Sequence, residues 1–182
     1  MKKPAAYRIL TVTGTDRPGI IASVTGSLFR LGCNLEDISM TLLGGQFSMM
    51  LVVCIPGFRK AARFESEFRK IKTLRFFWTD IKPRAFKNNL LAEKQKYVVT
   101  VLGKDHTGIV HKISRVLADQ NVNIVDLQSK IIGRGKKRLY SLLMEIEKPK
   151  KLSLNQLKNA LNKIARLIHV DIAVNSAESV SL

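Results

Sequence analysis

The feature that most restricts how this chain can fold is an internal repeat. The stretch Gly14-Thr15-Asp16-Arg17-Pro18-Gly19-Ile20-Ile21 returns 89 residues later as Gly103-Lys104-Asp105-His106-Thr107-Gly108-Ile109-Val110. The same offset relates Asn34-Leu35-Glu36-Asp37 to Asn123-Ile124-Val125-Asp126. A chain of 182 residues has room for one large domain or two small ones, and the repeat decides for two.

In each copy the repeated stretch joins a β-like run to a helix-like one. In the first copy a strand is expected over about 7–13 and a helix over about 18–31. The helix has Ile20, Ile21, Val24, Leu28 and Leu31 at helical spacing and is stopped by Gly32. Pro18 suits a first helical position, where its missing N–H is no loss. Strands over 34–43 and 47–55 flank Gly44-Gly45, a strong hairpin signal. A second helix carries Ala61, Phe64, Phe68 and Ile71 on one face, and a strand covers 74–81. The second copy repeats the order: a strand over 96–102, then a helix with Ile109, Val110, Ile113, Val116 and Leu117, N-capped by Thr107. Strands at 123–132 and 139–147 are joined by the basic hairpin 133–138. A helix with Leu154, Leu157, Leu161 and Ile164 follows, then a strand in which Ile168, Val170, Ile172 and Val174 alternate with His169 and Asp171.

The order βαββαβ, twice over, predicts an α+β chain of two ferredoxin-like sandwiches, each an antiparallel four-stranded sheet with both helices on one face. The domains are expected at 1–82 and 96–182, joined by a linker at 83–95. Phe47, Met49, Leu51 and Val53 alternate with Ser48, Met50, Val52 and Cys54, so both faces of that strand are largely apolar. Such a sheet calls for a second cover: the other unit, a second subunit or the linker.

A glycine-containing turn from strand to helix leaves the first helical N–H groups unpaired, and these, with the positive end of the helix dipole, attract a small anion such as a carboxylate. Gly19 and Gly108 keep the backbone open to close approach. The plainer reading of each loop is a tight turn with Asp16 capping it, and of Asn34 an Asx turn opening its strand.

Other chemistry finds little support. His106 and His111 are five apart, off the i, i+4 spacing of a helical metal pair, and His169 stands alone. No Walker loop, serine elbow or H-E-x-x-H is present, so no catalytic residue, metal site or cofactor is assigned. Cys33 and Cys54 form no C-x-x-C and are expected to be free thiols in a reducing cytoplasm. No apolar run is long enough for a membrane span, and the N-terminus makes a poor signal peptide. The net charge of +17 gathers around 59–75, 82–96 and 130–138, and favours nucleic acid, an anionic membrane surface or an acidic partner, the plainer reading being a solvated basic surface. The competing reading is thus a basic ferredoxin-like nucleic-acid-binding protein. It lacks the aromatic run that base stacking on such a sheet requires.

Thr15-Asp16-Arg17-Pro18-Gly19-Ile20 and Gly32-Cys33-Asn34-Leu35-Glu36-Asp37, set in a βαββαβ unit, resemble an ACT domain, the small-molecule sensing module of amino-acid metabolism. The second copy departs from the pattern, with His106-Thr107 for Arg-Pro and Asn121 for Gly32. A stand-alone pair of such units is similar to the glycine cleavage system transcriptional repressor family. The first half also resembles the unit that precedes the catalytic domain of formyltetrahydrofolate deformylases. The resemblance implies a non-enzymatic cytoplasmic regulator that binds a small amino acid, glycine or similar, and acts through a partner transcription regulator, as a homo-oligomer or with sheets packed between domains. It also implies the site. Amides around Gly19 and Ile20 hold the carboxylate, Asp16 accepts from the ammonium, and Asn34 offers an amide to the zwitterion. Asp105, Gly108, Ile109 and Asn123 are the equivalents, and the Asn of one unit can serve the loop of its neighbour.

Overall fold

The computed structural model describes residues 6–56, 61–81, 95–133 and 138–177. The chain divides into two units, Met1–Ala92 and Glu93–Leu182. The expected linker, Gln95 apart, and the tip of the basic hairpin, 134–137, lie outside the described residues.

The first unit runs β1 (Ala6–Thr15), α1 (Ile20–Arg30), β2 (Asn34–Leu43), β3 (Gln46–Ile55), α2 (Ala61–Phe68) and β4 (Leu74–Ile81). The second runs β5 (Lys96–Lys104), α3 (Ile109–Asp119), β6 (Asn123–Ile132), β7 (Leu139–Glu147), α4 (Leu154–Ile168) and β8 (Val170–Ser176). The sheets have the order β2-β3-β1-β4 and β6-β7-β5-β8, antiparallel at every pairing. Both are the ferredoxin-like sandwich that the repeat predicts. Gly44 and Gly45 both have positive φ, 57° and 77°, and close the two-residue hairpin between Leu43 and Gln46. One extra residue, Glu36 in β2 and Val125 in β6, shifts the register at the same place in each copy.

Each unit has its own core. In the first, Leu10 and Val12 of β1 and Met49, Leu51 and Val53 of β3 are fully buried beneath Val24 and Leu28 of α1 and Phe64 and Phe68 of α2. Phe64 meets Trp78 edge to face at 5.5 Å, and Phe68 lies 4.8 Å from Phe76. Phe77, between them in sequence, points to the opposite face and is 57% exposed. In the second unit Val99, Val101, Ile113, Leu117, Leu142, Met144, Leu157 and Leu161 fill the same space. Ser153 caps α4 reciprocally with Gln156. Cys33 packs against the first core, whereas Cys54 sits in β3 on the sheet's other face; neither forms a disulfide.

Several boundaries differ from the sequence reading. Helix α1 begins at Ile20, with Gly19 as its N-cap at φ 86°, so Pro18 lies in the preceding turn and not at the first helical position. Helix α3 is likewise opened by Gly108 at φ 95°, and Thr107 makes no cap. Ile168 closes α4 and does not open β8; it fits both periodicities, and the helical one wins because it continues the buried series Leu157, Leu161, Ala165. His169 then turns the chain at φ 53°. Ile21, placed on the buried stripe of α1, is 43% exposed. Asn121 takes φ 55° where Gly32 takes 67°, which explains how an Asn can stand in the second copy's helix stop.

The helices leave β2 uncovered. Ile38, Met40 and Leu42 point to the helix side, opposite Leu51, Met49 and Phe47, yet are 47%, 49% and 54% exposed. In β6, Leu127 and Ile131 repeat this at 40% and 49%. On the open face Met50 is half exposed, while Val52 and Cys54 are partly covered by their neighbours. Apolar surface thus concentrates along an edge strand of each sheet as well as on the open face where a cover was expected.

Candidate functional site

Each candidate loop is built by one glycine. Strand β1 ends at Thr15, and the Asp16 N–H donates to the Gly45 carbonyl at 3.0 Å, tying the loop to the β2–β3 hairpin. Gly19 then takes the left-handed conformation that starts the helix. The first intrahelical bond is Ser23 N–H to the Gly19 carbonyl, 2.9 Å, which leaves the amides of Ile20, Ile21 and Ala22 ahead of it. Among the described residues no side chain caps them. Nothing lies within 4 Å of where a Gly19 Cβ would stand, so the approach from that side is open.

The second loop repeats the arrangement. Lys112 N–H donates to the Gly108 carbonyl at 2.9 Å, the amides of Ile109, Val110 and His111 precede it, and no side chain caps the helix. A Cβ on Gly108 would meet only the Lys112 side chain, at 3.8 Å. The two helices therefore present the same uncapped N-terminus. Neither has an acidic residue in its first turn, so nothing on the helix itself cancels its attraction for an anion.

The two aspartates are not equivalent. Asp105 lies 3.9 Å from the Arg138 guanidinium, and Asp16 has no corresponding ion pair among the described residues. Among the described residues neither carboxylate caps its helix. The residue after each aspartate is a tether that the sequence reading missed. The Arg17 guanidinium donates to Thr73 Oγ1 at 3.3 Å, and His106 Nε2 lies 2.9 Å from the Ile168 carbonyl. Both reach the segment leading into their unit's last strand. Their shared position in the repeat was the available signal.

The asparagines lie elsewhere. Asn34 pairs with Cys54, which pairs with Tyr7 at the start of β1, whereas the loop follows Thr15 at its end. Eight residues of strand, about 27 Å at 3.4 Å per residue, separate the two levels. Within one unit the structure brings together Asp16, Gly19 and Ile20, and does not bring Asn34 to them. Asn123, level with Glu147 and Lys96, is equally remote from Asp105, Gly108 and Ile109. The Asn34 side-chain amide donates to Glu36 Oε1 at 3.0 Å. Asn123 lines a cavity of about 390 Å³ with His111, Ser114, Arg115, Ala118, Val122 and Ile124, on the flank of α3.

Beside Asn34, Tyr7 and Cys54 face each other across strands, and the Tyr7 phenol is held above its ordinary value first by the Cys54 thiol and less by desolvation and Glu36. Among the described residues no cluster of His, Cys, Asp and Glu could hold a metal ion, and no helix is long and apolar enough to cross a membrane. The open face of the first sheet offers Tyr7 as the one aromatic on β1 and none on β3, short of a base-stacking platform.

Comparison with known proteins agrees with this fold. The ACT domain profile matches residues 7–80 and again 97–166. A UPF0237 protein of Streptococcus pneumoniae is 51% identical over 45 residues, 25% of this chain and 51% of that protein. The glycine cleavage system transcriptional repressor of Escherichia coli is 36% identical over 47 residues, 26% of this chain and 25% of the repressor. The match thus spans about half the length of the first of these relatives, and less of the second. The crystal structure of an unknown protein from Galdieria sulphuraria has the same fold, with TM-score 0.78 and 22% identity over 95% of this chain and 99% of that one. Two matched domains, two uncapped helix N-termini and two sheets of one topology lead to a single conclusion: the chain belongs to the ACT domain family, as a tandem pair.

Proposed function

We propose that the chain is a non-enzymatic regulator that binds a small amino acid, glycine or one close to it in size, and controls genes of amino-acid or one-carbon metabolism through a partner transcription regulator. Its family and its similarity to a glycine cleavage repressor support a regulatory, amino-acid-sensing role. The observation that carries the reading is the pair of open amide clusters behind Gly19 and Gly108, which suit the carboxylate shared by all amino acids. Asp16 and Asp105 are the acceptors nearest to hand for the ammonium. A ligand seated on one loop meets Asn34 or Asn123 where a second copy of the chain supplies it, because that residue is a strand's length away within the unit.

The loops differ in ways that bear on which one binds. Asp105 already has Arg138 close by, while Asp16 has no such partner among the described residues. We assign the first loop as the working site and the second as the weaker one. Signalling requires that the ligand favour one arrangement of the protein over another, and the exposed edges of β2 and β6 are the surfaces on which such a change would register.

Isothermal calorimetry with a panel of free amino acids, on the wild type and on Asn34→Ala and Asn123→Ala, tests the reading. Saturable binding of a small amino acid, weakened more by Asn34→Ala, is expected. Flat responses to the whole panel, at protein concentrations that permit self-association, would overturn it.

A further inference from the structure

The open face of the first sheet carries a second polar site, distinct from the helix N-terminus. Strand register sets two rows of side chains across it, at the end that bears the β2–β3 hairpin. One row is Thr41, Ser48, Thr13 and Arg75, a residue from each of the four strands. The next is Leu43, Gln46 and Thr15, with Thr73 just ahead of β4. These residues line a cavity of about 730 Å³. Neighbouring strands are about 4.8 Å apart, so adjacent hydroxyls within a row can reach the same small group.

The chemistry of this lining is one-sided. It holds five hydroxyls, a carboxamide and a guanidinium, and no carboxylate. Arg75 has no acidic partner among the described residues, in contrast to Arg8, Arg30, Arg115 and Arg138, each of which pairs with a carboxylate. Arg17 approaches from the loop side through its bond to Thr73. An arginine fork beside hydroxyl donors is an arrangement that takes an oxyanion through two parallel N–H bonds. The apolar part of the lining is Leu43 and Phe47, and the next row of the open face adds an apolar wall beside the cavity, Met50 and Phe77, both at least half exposed.

The second unit shows what this face looks like without the site. Its corresponding row is Lys130, Ser141, Leu102 and Asp171. A carboxylate replaces the guanidinium and a leucine replaces the central threonine, so the feature is no consequence of the fold. We propose that the face formed by Thr13, Thr41, Ser48 and Arg75 binds a small oxyanion, a phosphate or carboxylate group carried on a compact body that rests against Phe77.

The site makes no use of the amides behind Gly19, so it stands or falls apart from the amino-acid reading. The test is an NMR titration of the full-length protein with inorganic phosphate in about 0.3 M salt, an ionic strength at which exposed charges farther apart than a few ångströms are largely screened. A parallel titration with phenyl phosphate gauges the apolar wall. Saturable shifts confined to Thr13, Ser48, Thr73 and Arg75 are expected, with phenyl phosphate the tighter ligand. Arg75→Ala is expected to lower affinity at least tenfold, Thr13→Val severalfold, and Lys158→Ala, a control on α4, not at all. Arg75→Lys, which keeps the charge but loses the fork, is expected to fall between. Shifts spread over the basic surface and reduced equally by Lys158→Ala would mean an adventitious ion only and would overturn the proposal, as would no shift at all. An Arg75→Ala protein that loses phosphate but keeps its amino-acid response separates this site from the first.

Discussion

Replacing Gly19 by alanine separates backbone strain from packing, because the structure isolates the two. At φ 86° the residue is in the left-handed region, where an L side chain costs about 1–2 kcal/mol. Alanine also stiffens the unfolded chain, which offsets about 0.4–1 kcal/mol of that. No packing penalty is added, since nothing lies within 4 Å of the new methyl. The net loss is therefore about 1 kcal/mol, which for a domain of this size corresponds to a fall of about 4–8 °C in the melting temperature. Calorimetric unfolding measures it, and glycine titrated into the same samples measures the site. The methyl stands beside the open amides, so the ligand-induced rise in melting temperature is expected to shrink at least tenfold in apparent affinity while the fold survives. A loss above about 3 kcal/mol would exceed the strain estimate and refute the claim that the approach is open. A full ligand response in the variant would refute the claim that the carboxylate comes close to this backbone.

Gly103→Ala should be far more damaging although its φ is ordinary, because the methyl would lie 2.6 Å from Val170 Cγ1 and 3.1 Å from its backbone. Overpacking of this kind costs about 1–3 kcal/mol or more, readable as a lower urea midpoint at unchanged slope. Glu67 is held below the usual carboxylate range first by its hydrogen bond from Lys70 and then by that from Arg30. Its stabilising contribution is therefore complete above the ordinary carboxylate pKa and disappears as pH falls through the lowered one. Glu67→Gln should flatten that part of the melting-temperature profile between neutral and acid pH, and an unchanged profile would remove the assignment. Met40→Lys, on the uncovered edge of β2, should reduce any self-association seen by sedimentation without lowering the melting temperature, since Met40 is already half exposed; an unchanged sedimentation profile would show that the edge is not the contact.

Much of the architecture was readable from local patterns. The offset of the two D-x-x-G stretches gave two domains, and the paired glycines at 44–45 gave a hairpin, because both depend on residues near one another in the chain. The open amides behind Gly19 and Gly108 were legible for the same reason: a glycine between strand and helix constrains the backbone over a few residues. Boundaries at Pro18, Thr107 and Ile168 were misplaced where one residue satisfied two local rules. At Ile168 the choice between helix and strand was settled by burial against the core, which no local period reports.

What the sequence determined by itself is thus the repeat, the order of elements and the open amides of the two loops, all properties of short segments. The tertiary structure alone decided which residues share a place. Register carried Asn34 to the far end of the sheet from Asp16, and set Thr13, Ser48 and Arg75 in one row although they are far apart in the chain. It also gave Gly14 and Gly103 their reason, since the last strand of each unit passes too close for a side chain there. The physical cause is the same in each case: strand pairing joins distant residues through backbone hydrogen bonds, and side-chain pattern fixes which face they share but not which neighbours they meet.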